Sequence, residues 1–226
     1  MNMNTFKKIF FVFYKDYLLN FRNFYEIFNI FIFFILGILI FIFSIGPDYI
    51  LYKEVGIGIV WSLVVLSNNL SIQKLFKDDF EDGNLILYMI NGFSFELLVI
   101  IKIFSSWIFY QLPFLLIITI ACLILNIELE KIYLILMTFL LSSPTLTCIS
   151  IISASMNLLN EKSFSVGGII VLFLSVPLII FSIGIINSST EMIAPQVNIL
   201  IGILLLFIAI TPWIGSISIK IALRYQ

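Results

Sequence analysis

"IFNIFIFFILGILIFIFSI", Ile27–Ile45, is a run of 19 residues without a single charge. As a helix rising about 1.5 Å per residue it would be about 28 Å long, close to the ~30 Å hydrocarbon core of a bilayer. A surface helix of a soluble domain shows one apolar stripe, whereas this one is apolar on every side. It reads as a membrane span. Five more apolar segments follow: Val55–Leu70, Leu97–Leu125, Ile132–Met156, Phe164–Ile186 and Val197–Leu223. With 62% hydrophobic and 11% charged residues in 226 positions, little chain is left over for a soluble domain. The expected fold is an all-α integral membrane protein, one domain over 1–226 with six transmembrane helices.

The 26 residues before the first span are too many for the short basic start of a secretory signal, so the span is read as a retained anchor. Phe6, Phe10, Phe13, Tyr17, Phe21 and Phe24 recur at three- and four-residue steps, and Lys8, Lys15 and Arg22 recur every seven. That pattern predicts an amphipathic helix over 6–26. Two readings stay open for it, a helix lying in the headgroup layer on membrane lipid and a helix packed only on protein.

Lys and Arg mark the cytoplasmic side of short loops. With the N-terminus inside, Lys7, Lys8, Lys15, Arg22, Lys74, Lys77, Lys102, Lys162, Lys220 and Arg224 fall there, leaving Lys53 and Lys131 outside. Both termini and Asp79 are therefore expected in the cytoplasm, with Asp48, Glu128 and Glu191 outside. Lys102, near the start of the third span, is expected to snorkel to the interface as an anchor, not to be a buried charge.

The first cytoplasmic loop, 71–95, holds "FKDDFEDGNL" with Asp78, Asp79, Glu81 and Asp82. At a bilayer centre each acid would cost roughly 2.5–3.5 kcal/mol, so the stretch is expected to lie in water. Leu75, Phe76 and Phe80 suit a short helix stopped by Gly83. It is either a short helix pressed to the cytoplasmic face or a solvated loop. Alternation of acids around a central Gly is missing, which excludes an EF-hand.

The chain has no histidine. The commonest general base and metal ligand are thus unavailable, no metal site is expected, and no nucleophile stands beside a base, so no catalytic residue is assigned. No phosphate-binding loop is present, so ATP would have to act on another chain. A net charge of −1 and the lack of a basic stripe argue against nucleic acid. Cys122 and Cys148, about 20 Å apart in depth at helical rise, are read as packing residues. Ser143, Pro144 and Thr145 in the fourth span and Ser175 and Pro177 in the fifth are polar or kinking residues, read either as packing or as a translocation path.

These pieces together resemble the haem exporter protein B (CcmB) family, the permeases of cytochrome c maturation, from about Phe6 to the C-terminus. "LFKDDFEDGNL" is similar to that family's Phe-x-x-Asp-x-x-Asp-Gly-Ser-Leu motif, with Phe76, Asp79, Asp82, Gly83 and Leu85 in place. "SIGPD" (Ser44–Asp48), "SPTL" (Ser143–Leu146) and "VPLIIF" (Val176–Phe181) follow in order. Asn84 stands where the family usually has Ser, and Phe173 where a second proline is expected.

The resemblance implies an ABC-2-type exporter permease, not itself an enzyme, with an interfacial N-terminal helix and a cytoplasmic coupling helix. Through Phe76, Asp79, Asp82, Gly83 and Leu85 it would receive the work of a separate ATPase subunit. It would act as a pair of permease copies beside a haem-handling membrane partner, in a bacterial inner membrane or an organelle inner membrane. Haem is the implied substrate, delivered to a periplasmic chaperone, and no cofactor is expected on the chain itself. The isolated permease is expected to bind haem weakly or not at all. The alternatives are an exporter permease for lipid, polysaccharide or drug, and a non-energised scaffold.

Overall fold

A computed structural model describes residues 5–22, 24–47, 49–71, 75–158 and 166–224. Asp48, Lys74 and Lys162, used above for orientation, lie outside the described residues, as do the side chains of Phe6, Lys7, Lys8, Arg22 and Phe24. The described chain is helical, with no strand among the described residues. The helices are α1 (Thr5–Arg22), α2 (Phe24–Ile45), α3 (Tyr49–Ser71), α4 (Lys77–Glu81), α5 (Asn84–Ile90), α6 (Phe95–Ser106), α7 (Leu112–Ile124), α8 (Leu129–Asn157), α9 (Val166–Asn187) and α10 (Thr190–Arg224).

Six of these units are long and apolar enough to cross a membrane, α6 and α7 counting as one span. The expected spans are all there. The second begins earlier than its apolar run, at Tyr49, because Lys53 and Glu54 form the first turns of α3 and Lys53 pairs with Glu128 at 3.3 Å.

Between α6 and α7 the helix widens into a π turn, Trp107–Gln111, with Leu112 N–H donating to the Trp107 carbonyl. Pro113 supplies the reason. Its missing N–H and its ring would spoil the bond and the space at the Phe109 carbonyl, and one extra residue in the turn relieves both.

α8 is the central helix, the most buried of the spans, with α9 and α10 as its main neighbours and α3, α6 and α7 around them. Its serines and threonines point inward, and Ser142, Thr147 and Ser150 donate back to the carbonyls of Thr138, Ser143 and Leu146. A Cβ on Gly167 would collide with Ser153 Oγ, so glycine permits the close crossing of α9 on α8. Cys122 and Cys148 are both fully buried in the spans.

α1 packs on α6. Val12 and Asp16 face that contact, while Phe10, Tyr14, Tyr17 and Phe21 form a stacked row on the exposed side. Phe13, expected in the aromatic face, instead turns half inward toward Ile9 and Phe104.

Candidate functional site

The segment that follows α3 is short and doubly stopped. α4 ends at Gly83, whose φ of 71° is the left-handed conformation that a β-branched residue adopts only under strain. α5 then runs to Ile90 and closes with Gly92 at φ 64° and Phe93 N–H on the Tyr88 carbonyl. Asn84, where serine was expected, opens α5 and donates weakly to Asp79 at 3.5 Å.

α4 divides the acids between two faces. Asp78, Glu81 and Asp82 are exposed, and Glu81 lies 3.5 Å from Lys77. Asp79 is only 4% exposed. The expectation that the whole acid stretch lies in water therefore fails at one residue. Phe76 and Leu85 are also fully buried, and Phe80 nearly so. Of the five motif residues, Phe76, Asp79 and Leu85 face the protein, Gly83 is half-buried and Asp82 faces out.

Asp79 is held by two cations. Lys15 Nζ of α1 reaches Oδ1 at 2.5 Å, and Lys102 Nζ of α6 reaches Oδ2 at 2.8 Å. Lys102 also donates to Asp16 Oδ1 at 3.1 Å, and Ser105 Oγ lies 3.4 Å from Asp16 Oδ2. Lys15 further donates to the Tyr88 hydroxyl at 3.2 Å. Lys102 sits 5.8 Å from the Phe76 ring centre, a cation over an aromatic face.

Two lysines and two aspartates thus close into a neutral cluster that ties α1, α4, α5 and α6 at one point. Lys102 is not a snorkelling anchor. At 8% exposure it is a buried charge, because two carboxylates brought from α1 and α4 give it partners that an interface would not need to supply.

The electrostatics follow from the packing. Burial alone would push Asp79 up, but Lys102 and Lys15 outweigh it and hold the carboxyl below its usual range. Burial alone would lower Lys15, yet the hydrogen bond and charge of Asp79 raise it above its ordinary value. Both groups are accordingly charged through the neutral pH range.

A second polar assembly lies deeper, within the spans. Gln111 Nε2 of the π turn donates to Asn68 Oδ1 of α3 at 2.5 Å, and Asn68 Nδ2 donates to Ser150 Oγ of α8 at 2.7 Å. Trp107 Nε1 donates to Ser143 Oγ at 2.9 Å. Ser143 in turn lies 3.4 Å from the Leu140 carbonyl, the group left without its helical donor by Pro144.

The other residues considered for a path scatter. Thr145 is buried, with no hydrogen-bond partner for its hydroxyl. Ser175 donates to its own helix at Val171, and Pro177 faces outward from α9. No group of acids and cysteines fit to hold a metal occurs among the described residues.

Sequence reasoning passed over Asp16, Asn68 and Gln111, and it gave Lys15 and Lys102 other roles, a basic register position and an interfacial anchor. A signal existed for each group. Asp16 stands on the inward stripe of an amphipathic helix, where a lone acid needs a cation, and amides inside apolar spans need each other.

Comparison with known proteins places this sequence in a family. A family model described as CcmB protein matches residues 7–222. Heme exporter protein B of Haemophilus influenzae is 34% identical over 123 residues, 54% of this chain and 56% of that protein. Heme exporter protein B of Pseudomonas aeruginosa is 29% identical over 121 residues, 54% of each chain. That of Escherichia coli K12 is 35% identical over 78 residues, 34% of this chain and 36% of that one. The chain thus aligns over about half the length, or less, of these curated relatives. Since the family model covers nearly the whole chain, spans and acid loop included, this multi-pass membrane protein belongs to the CcmB family.

Proposed function

We propose that this chain is the permease component of an ATP-driven exporter serving haem delivery for cytochrome c maturation. It would not be an enzyme itself; ATP would be hydrolysed on a separate cytoplasmic subunit. The observation that carries this reading is the division of α4. Asp78, Glu81 and Asp82 face outward, while Asp79 is clamped by Lys15 and Lys102.

A short helix of this kind suits coupling. Its outer acids present a charged face to an ATPase, and its inner acid transmits displacement to the third span and to α1. In this reading Phe76 and Leu85 are the buried feet of the element, Gly83 sets its turn, and Asp82 is the residue that touches the partner. The relatives' names, Heme exporter protein B, support haem as the cargo. Further partners in this reading are a second permease copy, surrounding membrane lipid and a haem-handling membrane protein that passes haem to a periplasmic chaperone. Location in the bacterial inner membrane with both termini in the cytoplasm completes it. Ser143, Thr145 and Ser175, with Pro144 and Pro177, then serve helix packing more than a path, since they do not converge on one point.

Complementation tests the reading. In cells lacking their own copy, the chain with its ATPase should restore covalent attachment of haem to c-type cytochromes. The triple change Asp78→Ala, Glu81→Ala, Asp82→Ala should insert normally, lose the ATPase on purification and fail to restore maturation. Retention of the ATPase by that variant would remove the coupling role. A native chain that recovers the ATPase yet does not restore maturation would favour an exporter for another cargo. The purified permease alone should show no stoichiometric haem Soret band.

A further inference from the structure

At the end of the bundle that carries α4 and α5, the start of α6 and the last turns of α10 stand apart around a pocket of about 440 Å³. Its walls have two characters. Met89 of α5, Phe93, Phe95 and Leu223 supply its apolar lining, and Lys220 and Arg224 of α10 its basic lining.

The charges do not cancel. Glu96, also in the wall, accepts from Lys220 at 2.9 Å and from Ser216. This leaves the exposed guanidinium of Arg224 as an excess positive charge in the pocket. Glu96 also stands in the first turn of α6, where its carboxylate takes up a backbone N–H, so it is Arg224 and not the helix end that carries the excess. Among the described lining residues two cations stand against one carboxylate, a balance that selects an anion. The apolar lining selects an anion that carries hydrocarbon. The position, at the ends of two spans, is where phospholipid headgroups lie, and basic pockets between helices at that level suit acidic headgroups.

We propose that this pocket binds one anionic phospholipid, its phosphate at Arg224 and Lys220 and its glycerol and first acyl carbons on Phe93, Phe95 and Leu223. Contact with Met89 would make the lipid a wedge between α5 and α10, so that headgroup charge influences the α4–α5 segment whatever the cargo. Arg224 carries most of the selectivity, because Lys220 already has Glu96.

The test uses the full-length protein, stripped of lipid in neutral detergent and given phosphatidylglycerol, phosphatidylcholine or inorganic phosphate in turn. Native mass spectrometry counts bound lipid, and thermal unfolding reads protection. The expected result is one retained phosphatidylglycerol per chain and a rise in melting temperature that neither of the other two produces. Arg224→Gln should weaken phosphatidylglycerol at least fivefold and Lys220→Gln less, while Lys131→Gln, at the opposite end, should match the native chain. Equal retention of phosphatidylcholine, equal protection by inorganic phosphate, or an Arg224→Gln variant that binds like the native chain would each overturn the proposal. So would loss of the ATPase from Arg224→Gln without any change in lipid binding, which would assign this face to a protein partner.

Discussion

The two polar assemblies of this protein differ in what they join. The ion-pair cluster of Lys15, Asp16, Asp79 and Lys102 binds elements that do not cross the membrane, α1 and α4, to one that does, α6. The amide and hydroxyl assembly of Asn68, Gln111 and Ser150 joins only spans. A buried pair that loses one partner leaves an uncompensated charge and costs about 3–5 kcal/mol, whereas interhelical hydrogen bonds in membrane proteins average about 0.6 kcal/mol. The charged assembly therefore fixes register, and the neutral one contributes to packing.

The largest effect is expected at the node of the charged assembly. Lys102→Met leaves Asp79 with Lys15 alone and Asp16 buried without the cation that holds it, so it should lower stability by about 3–5 kcal/mol. Thermal unfolding of the purified protein would read this, and a shift no larger than that of a surface variant would break the contrast. Next comes Gly83→Val, which forces a β-branched residue to φ 71° at an expense of about 1–2 kcal/mol. Its signature should be faster proteolysis at 84–92 with the spans intact.

Asn68→Leu should cost less, about 0.6–1.7 kcal/mol, since the amide it leaves behind on Gln111 is neutral. If unfolding shows it equal to Lys102→Met, the two assemblies are not different in kind.

The smallest effect expected is that of pH. Asp79, with its pKa held low, contributes stability fully present above its unfolded pKa of about 3.9 and lost as pH falls through the lower folded value. Lys15, with its pKa raised, contributes stability fully present below about 10.4 and lost as pH rises through the higher folded value. With no histidine in the chain, stability measured between about pH 5 and pH 9 should be flat. A step near pH 6 or 7 would mean that one member of the cluster titrates there.

The spans were legible because an uncharged run such as Ile27–Ile45 has no soluble alternative. Gly83 was legible too, since a glycine after a short helical pattern points to a left-handed stop. Lys102 was misread for a physical reason. Position along a span gives depth, but the choice between snorkelling and burial depends on partners, and Asp16 lies 86 positions away in sequence. The π turn was hidden as well. Pro113 signals a disturbed helix, but whether it kinks or widens depends on Asn68 and Ser143, which receive Gln111 and Trp107.

That Asp79 works inward with Lys102 while Asp82 works outward is tested most directly by a double-mutant cycle. Thermal unfolding would be compared for the native chain, Asp79→Asn, Lys102→Met and the double variant, with Asp82→Asn run against Lys102→Met as the parallel cycle. The expected result is a double variant less damaged than the sum of its parts, with a coupling of about 1.5–3 kcal/mol, and no coupling above about 0.5 kcal/mol for Asp82. Simple additivity for Asp79 and Lys102, or equal coupling for Asp82, would contradict it.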